Sequence, residues 1–439
     1  MDILTWSSLS DDEQRRVLQR SPLVADDNLE QSVRQIIDAV ASRGDAALME
    51  FNLRFDGVST ESLRLTQAEI AAAGTRVSPE LKQAIARATA NIEAFHGAQQ
   101  FRPLDLETQS GVRCELRSEA IAKVGLYIPG GSAPLISTVM MLALPAKIAG
   151  CERRVLVSPP PIDDAIVYAA NACGITEIYR VGGAQAIAAL ALGTETIPAV
   201  DKIFGPGNRY VTEAKRLLSQ DRRCTLSIDM PAGPSEVLVI ADGDADCEFI
   251  AADLLSQAEH GPDSQVILVT DSSAIADGVN GALTRQLAQL SRREVAARAL
   301  ASSRTLLVED MRQAAQVSNL YGPEHLIIQT RAPRELLTDI RAAGSVFLGG
   351  YTPESVGDYA SGTNHVLPTY GYSRAVSSLS LADFSRRFTV QELTATGLNA
   401  IGQTVMTLAL SEGLDAHANA VKLRLASLAA VTPAQAEND

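Results

Sequence analysis

Apolar positions change their period along the chain. Up to about residue 97 they recur at helical spacing. In NLEQSVRQIIDAVASRGDAALMEFNLRFDG, Val33, Ile36, Ile37 and Val40 share one helix face and Gly44 interrupts it. SLSDDEQRRVLQR, before it, reads as a capped amphipathic helix, and another helical run covers about 78–97. From Ile121 the pattern becomes short apolar runs separated by glycine-rich turns and helices. AKVGLYI, RRVLVSP, EIYRV and DKIF read as strands, each leading into a helical stretch. A second series opens at SEVLVIAD, passes through a helix over about 246–260, and continues as SQVILVT, LLVE, HLIIQ and GSVFLG. After about residue 375 the signal is mostly helical, ending in the polar tail TPAQAEND.

Strand–turn–helix units of this length predict parallel sheets with helices on their faces. The expected class is α/β: two doubly wound lobes with small helical N- and C-terminal pieces. The expected division is a helical segment over 1–25 and a first lobe formed by 26–120 with 236–374. A second lobe covers 121–235, and a C-terminal helical piece covers 375–439.

Charge and composition narrow the function. Lys and Arg number 38 against 52 Asp and Glu, a formal net charge of −14, and the arginine pairs are scattered rather than striped. A nucleic-acid duplex repels such a surface. Aromatic residues make up 4% of the chain, too few for base-stacking platforms. The uncharged stretch between Lys123 and Lys147 contains Pro129, Pro134 and Pro145, so no continuous helix crosses a bilayer there. No basic start followed by an apolar core opens the chain. Five widely spaced cysteines without a CxxC pair suit reduced thiols and a cytoplasmic location.

Three glycine-rich turns follow expected strands and open expected helices: Pro129-Gly130-Gly131, Gly182-Gly183-Ala184 and Gly205-Pro206-Gly207-Asn208. Helix N-termini present unpaired N–H groups to phosphates. Open sheets bind ligands at the C-terminal edges of their strands. The dinucleotide fingerprint itself is absent, since Tyr210 stands where its third glycine belongs. Tight turns explain such glycines equally well.

Four of the five histidines stand beside potential ligands or acid–base groups. In SQAEHGPDS, Gln257 and His260 are three apart and share the last turn of a helix that Gly261-Pro262 must end. Together they suit a metal, and His260 alone suits a helix C-terminus. In YGPEHLII, Glu324 and His325 meet at a loop–strand junction, where a glutamate could activate water and a histidine could take an alcohol proton. A solvated strand start is the plainer alternative. In SVGDYASGTNHVLPT, Asp358 and His365 flank a loop of small residues, a carboxylate ligand and a polar substrate contact respectively. In SEGLDAHANAVKLR, Glu412, Asp415 and His417 lie near the start of a late helix, whose dipole also suits acidic residues. His96 has no such company and reads as a helix-end residue. The mixed nitrogen and oxygen donors suggest zinc or a similar divalent ion. A metal hydrolase using Glu324 as base, and a binding protein retaining a metal site, are readings these residues also permit.

GLYIPGG, STVMMLALPAKIAGC, GGAQAIAALALGT, KIFGPGNRYVTEAKR, IDMPAGPSEVLVIAD, ADLLSQAEHGPDSQ, LYGPEHLII, AGSVFLG, SVGDYASGTNHVLPT and EGLDAHANAVKLR, in this order, resemble the histidinol dehydrogenase family. The resemblance implies two incomplete Rossmann-like lobes without the glycine fingerprint. It implies oxidation of L-histidinol to L-histidine through an aldehyde, in two NAD-dependent steps at one zinc ion per subunit. By motif, Gln257, His260, Asp358 and His417 would hold zinc, and Glu324 and His325 would be the catalytic pair. Ser235, His365 and Glu412 would contact substrate alongside His325 and the zinc-holding residues. Tyr127, Gln185 and Asn208 would contact NAD. It also implies a homodimer in which Glu412 and His417 come from the neighbouring subunit. Acid formation from an aldehyde can alternatively run through a cysteine thiohemiacetal. Neither Cys114 nor Cys151 has a histidine beside it in the sequence.

Overall fold

The computed structural model describes residues 1–20, 27–130, 134–230 and 233–431. Gly131, Pro231, Ala232 and the polar C-terminal tail fall outside these residues. The chain divides into two compact units, Met1–Gln99 with Ile121–Phe384, and Gln100–Ala120 with Ser385–Asp439. Among the described residues no helix is long and apolar enough to cross a membrane.

The first unit holds both parallel sheets. One has the order Glu177–Arg180, Arg153–Ser158, Lys123–Tyr127, Lys202–Phe204, Ser227–Ile228. The other runs Asp2–Thr5, Arg304–Leu307, Gln265–Thr270, Glu236–Ala241, His325–Gln329, Ser345–Leu348. Helices cover both faces, so the central strands are apolar throughout rather than alternating; every residue of Glu236–Ala241 and Gln265–Thr270 is buried. Apart from the edge strand Asp2–Thr5, each sheet starts near its middle, runs outward to one side, then jumps to the other. That reversal opens a crevice between the first strand and the one entered after the jump.

The expected boundaries need correcting in three places. The described residues 27–97 do not complete the 236–374 lobe. Val33, Ile37, Val40, Leu48 and Phe51 pack on Val155, Val157 and Tyr179, and Ile70, Ile85 and Ile92 pack on the opposite face with Leu126 and Ile178. An amphipathic stripe tells which helix face is buried, not which sheet buries it. Asp2–Thr5, expected within a helical leader, is a parallel edge strand on Arg304–Leu307. Its stability comes from a partner some three hundred residues away, so local pattern does not reveal it. Finally, Leu104–Gln109 and Val112–Ala120 leave the first lobe. They pair antiparallel with each other, and Ser385–Leu393 adds to the second of them, forming the sheet of the second unit. That last strand was expected to be helical, although Phe388 and Val390 do alternate with polar residues. Helices Ala395–Ser411 and Asp415–Val431 follow and pack as a pair, with Leu425 and Val421 closing on Gly402.

Candidate metal and catalytic site

The helix Cys247–Ala258 runs back along the strand it follows. Its last turn therefore reaches the first residue of that strand, and Gln257 Nε2 donates to the Glu236 carbonyl oxygen at 3.0 Å. The site thus forms at the N-terminal edge of the six-stranded sheet, not the C-terminal edge expected for an open sheet. The helix ends there with its negative dipole end, which favours a cation. Glu324 precedes, and His325 opens, the strand beside Glu236–Ala241. Gly344 lets the next strand close on this junction: a Cβ there would come within 2.5 Å of the Glu324 carbonyl oxygen.

The catalytic candidates are locked by backbone. Glu324 Oε2 accepts from the Glu236 N–H at 2.8 Å. His325 Nδ1 donates to the Glu236 carbonyl at 3.0 Å, which fixes its tautomer and leaves Nε2 as the acceptor. That Nε2 is buried without a hydrogen-bond partner and lies 3.6 Å from Asp358 Oδ1. Anchoring Gln257 through its nitrogen likewise leaves its Oε1, the atom able to bind a cation, buried and unpartnered.

His260, Glu354 and Asp358 each bring one ligand atom to within 4.8 Å of the others. Glu354 and Asp358 come from one short helix, Glu354–Tyr359, where a spacing of four puts them on one face. Burial pushes the Glu354 carboxyl up to about 8, reinforced by Asp358, Glu324 and Asp253 and opposed by His325. Burial alone would lower His325, but Glu354, Glu324 and Asp358 hold it well above the ordinary imidazole range. Burial would raise Asp358, yet His325, His365 and His260 keep it below the usual carboxylate range. Carboxylates gathered at a buried imidazole in this way are what a bound divalent cation would balance.

The remaining residues fall in several places. His365 sits beside this cluster, its Nδ1 3.0 Å from the Asp358 carbonyl oxygen and its Nε2 3.4 Å from Thr138 Oγ1. Ser235 immediately precedes the central strand, half-buried. Glu412 caps the helix Ala395–Ser411 and His417 lies in the first turn of Asp415–Val431, both exposed and both in the second unit. Tyr127, Gln185 and Asn208 gather at the C-terminal edge of the five-stranded sheet. Tyr127 ends the central strand, and its hydroxyl accepts from the Gly183 N–H at 3.2 Å. Gln185 is buried in the first turn of Gly183–Leu192. Asn208 caps Arg209–Leu218 through the Tyr210 and Val211 amides. Gly205 makes this packing possible: its φ is +125°, and a Cβ would come within 2.1 Å of the Tyr127 carbonyl oxygen. Burial pushes the Cys151 thiol up to about 11, which leaves it poorly suited to a thiohemiacetal route. His96 is the helix-end residue expected, fully buried with Nδ1 on the Ile92 carbonyl at 3.0 Å.

Sequence reasoning missed four contributors. Arg20 forms a bidentate pair with Glu236, at 2.5 and 2.7 Å, and lies 3.8 Å over the Tyr321 ring. Glu354 had no nearby histidine to flag it. Asp253 and Gln329 form a buried pair at 2.8 Å behind the site. No motif marks these residues, but Asp253 lies four residues before Gln257 on the same helix face. Burial pushes Asp253 up to about 7, above its ordinary value of 3.8. A carboxyl raised on folding contributes stability that is present in acid and lost as pH rises through its folded value. Asp253→Asn should therefore gain about 2–3 kcal/mol over the parent between roughly pH 4.5 and pH 8. Urea unfolding at the two pH values checks this; an equal effect at both would contradict it.

Residues 19–425 match the family model described as histidinol dehydrogenase. The chain is 77% identical over 436 residues to the histidinol dehydrogenase of Shewanella oneidensis, covering 98% of this chain and 100% of that protein. It is 59% identical over 426 residues to that of Salmonella choleraesuis, covering 97% and 98%. The crystal structure of histidinol dehydrogenase from Elizabethkingia anophelis superposes with a TM-score of 0.94 at 46% identity, covering 98% of each chain.

Proposed function

Because the chain belongs to the histidinol dehydrogenase family, we propose that it oxidises L-histidinol to L-histidine through the aldehyde, in two NAD-dependent steps at a zinc site. The observation that carries this is the buried Glu324–His325 pair set against the His260–Asp358 cluster. The residues present fit the metal: Gln257 offers a buried, unpartnered carbonyl oxygen, His260 an imidazole and Asp358 a carboxylate. His417 is the fourth ligand, and with Glu412 it comes from the neighbouring subunit of a homodimer. Zinc, when bound, holds the substrate's imidazole and amino nitrogens and so fixes the reacting carbon. NAD, when bound, would receive the hydrides; the turns at Gly182-Gly183 and Gly205-Pro206-Gly207, with Tyr127, Gln185 and Asn208, form the edge that would accommodate it.

This chain's own groups move the protons. His325 Nε2, with Nδ1 committed to the Glu236 carbonyl, takes the hydroxyl proton in the first step. Glu354, Glu324 and Asp358 raise His325; carboxylates engaged in holding a cation would raise it less and would leave Nε2 free for this task. In the second step the aldehyde is hydrated. Glu324, held as an acceptor by the Glu236 N–H, takes the proton of that water. Ser235 and His365 line the substrate, and Glu412 receives its cationic amine, which the overall negative charge also draws in.

An assay with L-histidinol and NAD tests the reading. It should yield two NADH per substrate consumed, stop on chelation and recover with added Zn2+. Hydrolytic turnover with no NADH would instead favour a metal hydrolase that uses Glu324 as base.

A further inference from the structure

Three of the four proposed zinc donors, Gln257, His260 and Asp358, lie in the first unit, and that unit carries a further candidate that the proposed set does not use. Glu354 is 1% exposed, and its Oε2 has no hydrogen-bond partner. Burying such an oxygen without a partner is costly, so a buried carboxylate of this kind is normally paired or bound to a metal. Its ligand atom shares a 4.8 Å cluster with those of His260 and Asp358. Bonds of about 2.0–2.2 Å to zinc set neighbouring donors roughly 3–4 Å apart, so small side-chain shifts that tighten the 4.8 Å cluster would let one ion touch all three. The pairing with Asp358 is built in by their common helix face. Glu324, another buried carboxylate nearby, is different, because its Oε2 is already taken by the Glu236 N–H at 2.8 Å.

We propose that Glu354 is a direct ligand of the same ion, so that His260, Glu354 and Asp358 form a three-donor seat complete within the first unit. This rests on the metal reading above and deepens it. The seat gives the ion a place before His417 arrives from a neighbouring subunit. It also gives a ligand that can yield its position when the substrate's nitrogens bind, since Glu354 is held by no other hydrogen bond through Oε2.

The test is zinc affinity of the full-length apo-protein, measured by chelator competition, together with the visible absorption of the Co2+-loaded form. Glu354→Gln should weaken zinc binding by about 10- to 100-fold or more and shift the Co2+ spectrum. Glu324→Gln removes the same charge from the same site but no ligand, and should change affinity less than about threefold. In a His417→Ala background one ion per chain should remain, and adding Glu354→Gln should remove it. Circular dichroism checks the folding of each variant. If Glu354→Gln does not fold, Glu354→Asp, which keeps the charge but shortens its reach, should still shift the spectrum. Unchanged affinity and spectrum in the Glu354 variants, or equal weakening by Glu324→Gln, would overturn the assignment. His260→Asn separates the two readings. If it too leaves zinc binding unchanged, the metal site itself is wrong; if it weakens binding while the Glu354 variants do not, only Glu354 is misassigned.

Discussion

Glu324→Gln should slow the aldehyde-to-acid half of the reaction by about 10²- to 10⁴-fold, the range for loss of a positioned general base. Alcohol oxidation should be spared more. The substitution keeps the shape of the side chain, and the amide oxygen can still accept the Glu236 N–H that now binds Glu324 Oε2 at 2.8 Å. What disappears is the carboxylate's ability to take a proton from water. Only the second half-reaction needs that step, because only the aldehyde has to be hydrated. On the proposed roles His325 serves the first half, and its Nδ1 anchor on the Glu236 carbonyl is untouched. Supplying the aldehyde directly and comparing its oxidation with that of the alcohol separates the halves. Equal damage to both would remove Glu324 from the role of water activator and leave it a structural group.

Arg20→Ala should destabilise the protein by about 3–5 kcal/mol, the usual effect of removing one partner of a buried ion pair. The Arg20 and Glu236 side chains are 13% and 2% exposed, and the guanidinium binds both carboxylate oxygens. Arg20 also donates to the carbonyls of Tyr321 and Gly322. Without it the Glu236 carboxylate is left buried with the Tyr370 N–H, 2.7 Å away. Burial already pushes Glu236 above the usual carboxylate range, with the Arg20 pair opposing that rise. Glu236 is also the residue whose backbone anchors Glu324, Gln257 and His325, so the loss should reach activity as well. Equilibrium unfolding in urea measures it. A change below about 1 kcal/mol would mean that the pair is replaced by water at little cost.

The parallel strands and their helices were legible because each is a local apolar run bounded by turns, and HLIIQ and EVLVIA fall where the pattern put them. The chemistry was legible where a rare residue marked it. Histidines drew attention to His260 and His325, and His365 to Asp358, side chains that the fold brings together. What stayed hidden was long-range. The sheet that receives Val33 and Ile37 is chosen by packing, and Asp2–Thr5 becomes a strand only through Arg304–Leu307. Arg20 was one arginine in a polar leader until Glu236 met it across the fold. Glu354 stands in no motif, and only its burial and its unpartnered oxygen distinguish it. The edge at which the catalytic pair sits also escaped prediction. It is set by a helix returning to the beginning of its own strand, a feature of connection rather than of composition.

Zinc-edge anomalous diffraction from crystals of the zinc-loaded protein bears most directly on where this chemistry resides. A single strong peak per chain should lie at bonding distance from Gln257 Oε1, His260 and Asp358, with the partner subunit's His417 and, without substrate, Glu354 as further ligands and His325 close by. A peak bound elsewhere, or none at these side chains in protein that oxidises L-histidinol, would contradict the account.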